Sequence, residues 1–327
     1  MKQNTLRKLI SLGMIAVLAI FFTLKSPYFL TASNLSAIVR DSAVAGIAGI
    51  GLTYVILTAG IDLSTGSVMA LAGMVMANIY TYTLIPIPVM ILAGLAVGLV
   101  CGAINGFVVT KLKLPEFIAT LATMGIYRSL TYVIAVRDSA GSIQSVQMRA
   151  SSFTVLGSGV GGLYWVVLAL VGQFLLKKTR FGTNLYAVGS NFKAAQLSGI
   201  NDTAVTILAY VLSGLTTAMG GIVLASMTQQ CMASTGSGYE NYVIMSAVIG
   251  GVSLLGGVGT VPGCVFGAIL IGLLNNGLNL MSVPSTEHDL VKGIVIIAAV
   301  AFDALQHQDK ARSWLRQFRF LQKKEVT

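Results

Sequence analysis

Two long stretches of this chain each contain a single charged residue. Residues 42–110 contain only Asp62, and residues 203–286 contain only Glu240. In a soluble domain about a quarter of the residues are charged, whereas a charge at the centre of a bilayer costs about 2.5–3.5 kcal/mol on insertion scales. The two stretches therefore predict membrane-spanning helices, and the two carboxylates become the first candidates for function.

The composition indicates a tightly packed helical membrane protein. Charged residues make up 10% of the chain, hydrophobic residues make up 55%, and 36 of the 327 residues are glycine. Glycine allows membrane helices to approach closely. Cys101, Cys231 and Cys264 lack the spacing of metal ligands, so we expect small packing residues and no disulfide framework. The sequence thus predicts an all-α polytopic membrane protein.

Ten hydrophobic stretches have roughly the 20 residues that a spanning helix needs. If the N-terminus is inside, most Lys and Arg residues fall in inside segments, which predicts that both termini are cytoplasmic. The net charge of +10 then reflects topology and contact with anionic membrane lipid, and we expect no nucleic-acid partner. The predicted spans lie at about residues 8–24, 42–59, 66–84, 88–110, 116–136, 162–176, 204–227, 241–256, 261–283 and 290–305.

These spans divide the chain into a membrane domain, residues 1–305, and a basic cytoplasmic tail, residues 306–327. Residues 177–203 form the long inside loop of the membrane domain. Apolar residues between the basic residues of the tail are typical of a short amphipathic helix at the membrane surface. A solvated tail that only sets topology is the alternative.

An internal similarity relates the two halves of the membrane domain. Residues 98–105 (GLVCGAIN) resemble residues 272–279 (GLLNNGLN), at an offset of 174. Because the fourth and ninth spans run in opposite directions in the predicted topology, the match indicates an inverted repeat of spans 2–5 and 7–10, a pattern common in transporters. The alternative is a chance match between segments rich in Gly and Leu.

The sequence contains no motif for covalent catalysis or metal binding. His288 and His307 have no Cys, Asp or Glu cluster at ligand spacing, and no H-E-x-x-H or G-x-S-x-G motif occurs. No Gly-Lys dipeptide occurs either, so a phosphate-binding loop is missing. We therefore expect a chain that is not an enzyme and holds no cofactor or metal. If ATP drives transport, a separate subunit binds ATP with Mg²⁺ and hydrolyses it.

The two isolated carboxylates each allow two interpretations. Asp62 lies in GIDLSTG, residues 60–66, between glycines and hydroxyls. There it either caps the following helix, by accepting backbone N–H bonds, or takes a direct part in function. Glu240 precedes the eighth span, where a capping role and a gating role are equally open.

Amide side chains inside the spans are candidates for a translocation path. Amides both donate and accept hydrogen bonds, which suits a neutral polyol. The alternative is that they only join helices, through interhelical hydrogen bonds worth about 0.6–2 kcal/mol. With Asp62, the candidates for this path are Asn105, its repeat counterpart Asn279, and the neighbours Asn275 and Asn276.

The inside loop contains a short segment with the features of a docking helix. Asn191 is placed to cap a helix, Gly199 is placed to end it, and small residues between them permit close approach of a partner. An ordinary connecting loop is the alternative. The candidate docking residues are Gly189, Asn191, Ala194, Ala195, Ser198 and Gly199.

Six segments together form a specific pattern. They are residues 58–67 (TAGIDLSTGS), 114–121 (LPEFIATL), 185–191 with 194–195 and 197–201, 237–240 (SGYE), 249–254 with 256–260, and 274–280 (LNNGLNL). The pattern resembles the membrane subunit of ATP-binding-cassette importers for monosaccharides, the ribose-permease family, over nearly the whole chain.

The resemblance implies a multi-pass protein of the bacterial cytoplasmic membrane that acts with several partners. These are a second permease subunit, identical or different, a pair of cytoplasmic ATPase domains, and a periplasmic sugar-binding protein. Residues 189–199 are similar to the coupling helix that contacts the ATPase in this family. Residues 228–234 and the pair Asn241 and Tyr242 depart from the family's pattern, so the resemblance does not extend to ribose as the particular sugar.

Two other classes of function remain as alternatives. An ion- or proton-coupled secondary transporter of a small polar solute is the first, although such transporters usually keep several ionisable residues in the membrane. An intramembrane enzyme or a structural scaffold is the second, and the sequence contains no nucleophile–base pair for an enzyme.

Overall fold

The computed structural model describes residues 2–158, 161–284, 286–288, 290–295 and 297, and most of them are helical. One compact unit comprises Met1–Ser282, and a second comprises Val283–Thr327. The helices are α1 (Lys2–Lys25), α2 (Ala32–Leu57), α3 (Thr65–Tyr82), α4 (Ile87–Lys111), α5 (Glu116–Val133), α6 (Ser151–Thr154), α7 (Gly161–Lys178), α8 (Arg180–Ser190), α9 (Phe192–Leu197), α10 (Asp202–Thr228), α11 (Tyr239–Ile249) and α12 (Val261–Leu280). Strands β1 (Val146–Gln147) and β2 (Gln230–Cys231) pair antiparallel.

Helix α2 lies at the centre of the first unit. Every residue from Ser42 to Leu57 is buried, since α7, α10, α11 and α12 pack around it. A helix that is apolar on all sides is typical of the interior of a bundle. Within the part of the chain that the structure describes, four helices, α2, α4, α10 and α12, are long and apolar enough to cross a membrane. These features confirm the prediction of an all-α membrane protein.

Glycines bring the backbones of α4 and α10 into direct contact. Gly98, Gly102 and Gly106 follow one another at four-residue spacing, so they share one face of α4. A Cβ atom on Gly98 would overlap the Gly214 carbonyl, and one on Gly102 would overlap the Tyr210 carbonyl. The close approach expected from the glycine content is therefore realised at this crossing.

The eighth predicted span, residues 241–256, is wrong in its second half. Helix α11 ends at Ile249, and Gly251 next adopts a left-handed φ of 83°, a conformation that stops helices. Eleven residues rise only about 16 Å, well short of the roughly 30 Å hydrocarbon core. Residues 250–260 are not helical, because their glycines favour turns over a continuous helix.

Two other predicted segments also differ from the structure or lie outside it. The second span, predicted from residue 42, belongs to a helix that begins at Ala32, because Thr31 caps it by accepting a hydrogen bond from Asn34 N. The predicted tail, residues 306–327, lies outside the described residues, as does most of the span at 290–305.

Gly102→Ala should destabilise the α4–α10 crossing. Its methyl group would overlap the Tyr210 carbonyl and lie 2.9 Å from Val211 Cα, and overpacking of this kind costs about 1–3 kcal/mol. We expect a lower midpoint of thermal unfolding for the detergent-purified variant, followed by fluorescence-detected gel filtration. Gly125→Ala on α5 is the matched control, because a Cβ there meets no atom within 4 Å. Equal midpoints for the two variants would refute the close contact.

Candidate functional site

The non-helical segment between α2 and α3 places Asp62 in the interior of the protein. Helix α2 ends at Leu57, and Ala59 adopts a left-handed φ of 67°, which reverses the chain. Gly60 N donates a hydrogen bond to Val55 O at 3.1 Å, which closes the end of the helix. Only 2% of the Asp62 surface is exposed. The carboxylate predicted to lie at a helix break is thus enclosed by protein.

Hydrogen-bond donors surround the Asp62 carboxylate. Its Oδ1 accepts from Ser64 N at 3.0 Å and from Ser64 Oγ at 2.6 Å. Its Oδ2 accepts from Ser213 Oγ at 3.2 Å, and Asn105 Nδ2 lies 3.4 Å from Oδ1. Among the described residues the structure places no cation within 4 Å of this carboxylate. Neutral dipoles therefore satisfy it, an arrangement that rigidifies a buried site only when it is complete.

Asn105 extends this network to α5. Its Nδ2 donates to Ser64 Oγ at 2.8 Å, and its Oδ1 lies 3.1 Å from the Tyr127 hydroxyl. We call Asp62, Ser64, Asn105, Tyr127 and Ser213 the Asp62 junction. The Asp62 junction joins the loop before α3 to α4, α5 and α10. Asp62 therefore has a third role besides the predicted capping or functional roles, because its hydrogen bonds help to hold these four elements together.

A backbone carbonyl of the same loop strengthens the junction. Ile61 O accepts hydrogen bonds from Thr120 Oγ1 on α5 and from the Tyr210 hydroxyl on α10, each at 3.2 Å. Buried carbonyls outside regular helices need such partners. The loop is therefore fixed by both its backbone and its side chains.

The three asparagines predicted on α12 do not join the Asp62 junction. Asn276 instead exchanges two amide hydrogen bonds with Asn34 on α2, at 2.9 and 2.8 Å. Asn275 is half-buried, and its Oδ1 has no hydrogen-bond partner, whereas Asn279 is exposed. Asn105, the repeat counterpart of Asn279, is buried, so Asn105 and Asn279 lie in different surroundings. Asn276 therefore joins α12 to α2 through hydrogen bonds, which is the alternative role considered for these amides.

A second polar cluster lies at the start of α11. A Cβ atom on Gly66, in the first turn of α3, would overlap both the Gly236 carbonyl and the Glu240 carboxylate. The N-termini of α3 and α11 therefore converge on Glu240. Gly238, with a φ of 82°, occupies the N-cap of α11, so Glu240 does not cap that helix. The negative charge of Glu240 lies in the first turn of α11, where the positive end of the helix dipole stabilises it.

Arg128 on α5 holds the turn before α11, a role that was not predicted from the sequence. Its Nη1 donates to Ala233 O and to Thr235 O, each at 2.8 Å. The guanidinium also lies within electrostatic range of Glu240. A lone arginine inside an apolar span is a signal of function, and this signal is present in the sequence. The residues that Arg128 contacts cannot be read from the sequence, because they lie more than a hundred positions further along the chain.

The predicted docking helix forms as α9. Asn191 Oδ1 accepts from Ala194 N at 3.0 Å, and Gly199 follows the helix with a left-handed φ of 78°, so the predicted cap and stop are confirmed. Ala194, Ser198 and Gly199 are exposed, whereas Ala195 is buried in the core. Ala195 therefore fastens α9 to the protein.

Two large apolar residues on α9 were not among the predicted docking residues. The exposed fraction is 50% for Phe192 and 91% for Leu197. Neither stood out in the sequence, because an apolar residue in a hydrophobic chain gives no signal of exposure. They are the largest apolar side chains that this short helix offers to a partner.

Gly189, also predicted for docking, is half-buried at the end of α8 and packs closely against two other segments. A Cβ atom there would overlap Leu57 O and lie 2.7 Å from Gly257 N, and Gly257 N donates to Leu57 O at 2.9 Å. We call Leu57, Gly189 and Gly257 the glycine junction. It brings the ends of α2 and α8 together with the 250–260 segment.

Tyr186 adds a side-chain bond to the glycine junction. Its hydroxyl donates to Gly259 O at 2.6 Å. Burial raises the pKa of Tyr186 above its ordinary value of 10, so the hydroxyl remains protonated and able to donate at neutral pH.

The described residues contain no group of three His, Cys, Asp or Glu side chains that could hold a metal ion. The site is thus a set of hydrogen-bonded junctions among helices, in which α2 and α3 are separated by a break and α11 is short. This arrangement is typical of a polytopic membrane transport protein, in which irregular backbone inside the membrane is enclosed by protein.

Comparison with known proteins gives the family. The profile described as branched-chain amino acid transport system/permease component matches residues 34–300, so the chain belongs to this permease family and is not itself an enzyme. It is 37% identical over 289 residues to the D-allose transport system permease protein AlsC of Escherichia coli (strain K12), covering 88% of this chain and 89% of AlsC.

Two further relatives are also sugar permeases. The ribose import permease protein RbsC of Bacillus subtilis (strain 168) is 40% identical over 290 residues, covering 88% of this chain and 89% of RbsC. The L-arabinose transport system permease protein AraH of Escherichia coli (strain K12) is 35% identical over 307 residues, covering 91% and 92%. No solved structure matches the chain.

Asp62→Ala should cost more stability than the same change at an exposed aspartate that also accepts several hydrogen bonds. It leaves buried donors of Ser64 and Ser213 unpaired, at about 1–3 kcal/mol for each unsatisfied group. The control is Asp138→Ala, since Asp138 accepts three hydrogen bonds from its own exposed turn. We expect the midpoint of thermal unfolding to fall clearly for Asp62→Ala and little for Asp138→Ala. Equal shifts would show that the junction contributes nothing beyond a surface turn.

Proposed function

We propose that this chain is the membrane-spanning permease subunit of an ATP-driven importer whose cargo is a monosaccharide. The observation that carries the proposal is the similarity over about nine-tenths of the chain to permeases for allose, ribose and arabinose. These cargoes are neutral polyols, and the membrane segments of this chain contain amides and hydroxyls in place of a series of ionisable groups. The lack of a phosphate-binding loop assigns ATP and Mg²⁺ to a partner subunit.

The chain crosses the bacterial inner membrane ten times, with both termini in the cytoplasm, and the eighth crossing is made by the short helix α11 together with the non-helical residues 250–260. The excess of Lys and Arg in the segments assigned to the inside supports this orientation. The two halves are related by an inverted repeat. Helix starts support it: Tyr239 follows Thr65 by 174 residues, and Val261 follows Ile87 by the same number, which is the offset found in the sequence. The short helix α11 is then the counterpart of α3.

Residues 189–199, which comprise α9 and the end of α8, contact the ATPase from the cytoplasmic side. Phe192 and Leu197 supply apolar surface for this contact, together with the exposed small residues Ala194, Ser198 and Gly199. Asn191 and Ala195 fix the shape and position of α9. Movement imposed on α8 passes through Gly189 to the glycine junction.

The Asp62 junction borders the translocation path and holds its helices in place. Asp62 and Asn105 position α4 and α10, while Glu240 and Arg128 stand where α3 and α11 meet and serve as the gate. Of the α12 asparagines, Asn275 and Asn279 lie on a separate part of the path, and Asn276 holds α12 against α2 beside it. A second permease subunit completes the path, and a periplasmic binding protein delivers the sugar to its outer end.

Co-purification tests the assignment. We expect tagged full-length protein, extracted from membranes in mild detergent, to retain a P-loop ATPase, and chemical cross-linking to add a soluble sugar-binding protein, both identified by mass spectrometry. Sugar uptake should survive collapse of the proton gradient and fail on ATP depletion. Recovery of the chain alone across several detergents, with uptake that follows the proton gradient, would replace the proposal with a secondary transporter.

Leu197→Ser should weaken contact with the ATPase without harming the permease. Burial of a leucine side chain contributes about 1.5–3 kcal/mol, so we expect retention of the ATPase and ATP-driven uptake to fall roughly tenfold or more. Abundance in the membrane should stay constant, because Leu197 makes almost no contact within the chain. The control is Leu84→Ser, another fully exposed leucine, located between α3 and α4. Normal uptake by Leu197→Ser would exclude α9 as the docking surface.

A further inference from the structure

A basic groove lies where α7 ends and α8 begins. Its volume is about 450 Å³. Three of its lining residues are cations, and among the described residues none of the three lies within 4 Å of a carboxylate. The groove therefore presents three positive charges that no described acidic side chain neutralises. It is lined by Lys177, Lys178, Thr179, Arg180, Thr183 and Asn184.

The first turn of α8 adds to this positive potential. Thr179 caps the helix, which continues for eleven residues to Ser190. The start of a helix carries a partial positive charge and backbone N–H groups without partners in the helix, which together attract phosphate. The lysines and the arginine thus surround a position that already favours an anion.

An exposed apolar stripe on α7 leads to the groove. Val167, Leu170, Val171 and Phe174 each expose half or more of their surface. Their spacing places them on one face of α7, and Lys178 continues that face one turn after Phe174. A ligand that occupied both features would have an apolar body along α7 and an anionic end in the groove.

We propose that this groove binds the phosphate group of an anionic phospholipid, with the acyl chains along the apolar stripe of α7. The stripe favours a lipid over a free phosphate, because a free ion leaves the exposed apolar residues without contact. The three cations favour an anionic over a zwitterionic headgroup, since each basic residue near a membrane surface adds to the attraction. The site is separate from the Asp62 junction and goes beyond the transport function.

Native mass spectrometry of the delipidated full-length protein tests the site directly. The probes are palmitoyl-oleoyl phosphatidylglycerol and the phosphatidylcholine with the same chains. We expect Lys177→Gln/Lys178→Gln/Arg180→Gln to bind phosphatidylglycerol at least about tenfold more weakly than the unaltered protein. The matched control, Lys111→Gln/Lys113→Gln/Lys193→Gln, removes three other cations and should bind normally. Both variants should elute as the unaltered protein does on gel filtration.

Three results would overturn the site. The first is equal binding of phosphatidylglycerol and phosphatidylcholine, and the second is equal binding by the two triple variants. The third is displacement of the lipid by excess inorganic phosphate, which would identify a site for a soluble anion. Leu170→Ser/Phe174→Ser should also weaken lipid binding, although it leaves the three cations in place. Unchanged binding by this variant would show that the apolar stripe does not contact the acyl chains. None of these readouts depends on transport, so they stand apart from the test of the permease assignment.

Discussion

Asp62 is buried and no cation among the described residues lies within 4 Å of its carboxyl group, so hydrogen-bond partners from the protein must surround it. Its donors come from its own loop, from Asn105 on α4 and from Ser213 on α10. The two helices must therefore lie close together at this depth. Glycines make the approach possible, because Gly102 is one turn from Asn105 and contacts the backbone of α10 at Tyr210. The polar network and the glycine packing are two parts of one crossing.

Three helix interruptions in the described part of the first unit meet a similar requirement. Backbone groups released from a helix in a membrane need partners from the protein. At 58–64, Ile61 O is paired with hydroxyls of α5 and α10. Before α11, Arg128 pairs two carbonyls. In the 250–260 segment, backbone groups pair with Leu57 O and with the Tyr186 hydroxyl. Each interruption thus depends on a distant, dedicated side chain or backbone group.

Candidate residues were easier to predict from the sequence than their positions in the fold. Charge scarcity identified Asp62 and Glu240, and capping rules located α9 through Asn191 and Gly199. The end of α11 was missed because hydropathy treats Gly250 and Gly251 as part of an apolar run, although their backbone conformation ends the helix. Ala195 and Leu197 could not be assigned to the core and the surface, since that depends on the angle at which α9 packs. Arg128 needed its partners near residue 234, which no local pattern supplies.

The glycine junction constrains how the proposed coupling can act. Gly189 fits between Leu57 O and Gly257 N only because it has no side chain, so the end of α8 has no freedom to slide past its neighbours. Leu57 is five residues before Asp62 in the chain, and Gly257 is four residues before α12. A displacement of α8 therefore acts on the loop of the Asp62 junction and on α12 at once. Because Asn105 on α4 and Ser213 on α10 donate to the Asp62 carboxylate, the proposed coupling would extend from that loop to both helices, and it would involve whole helices rather than a single side chain.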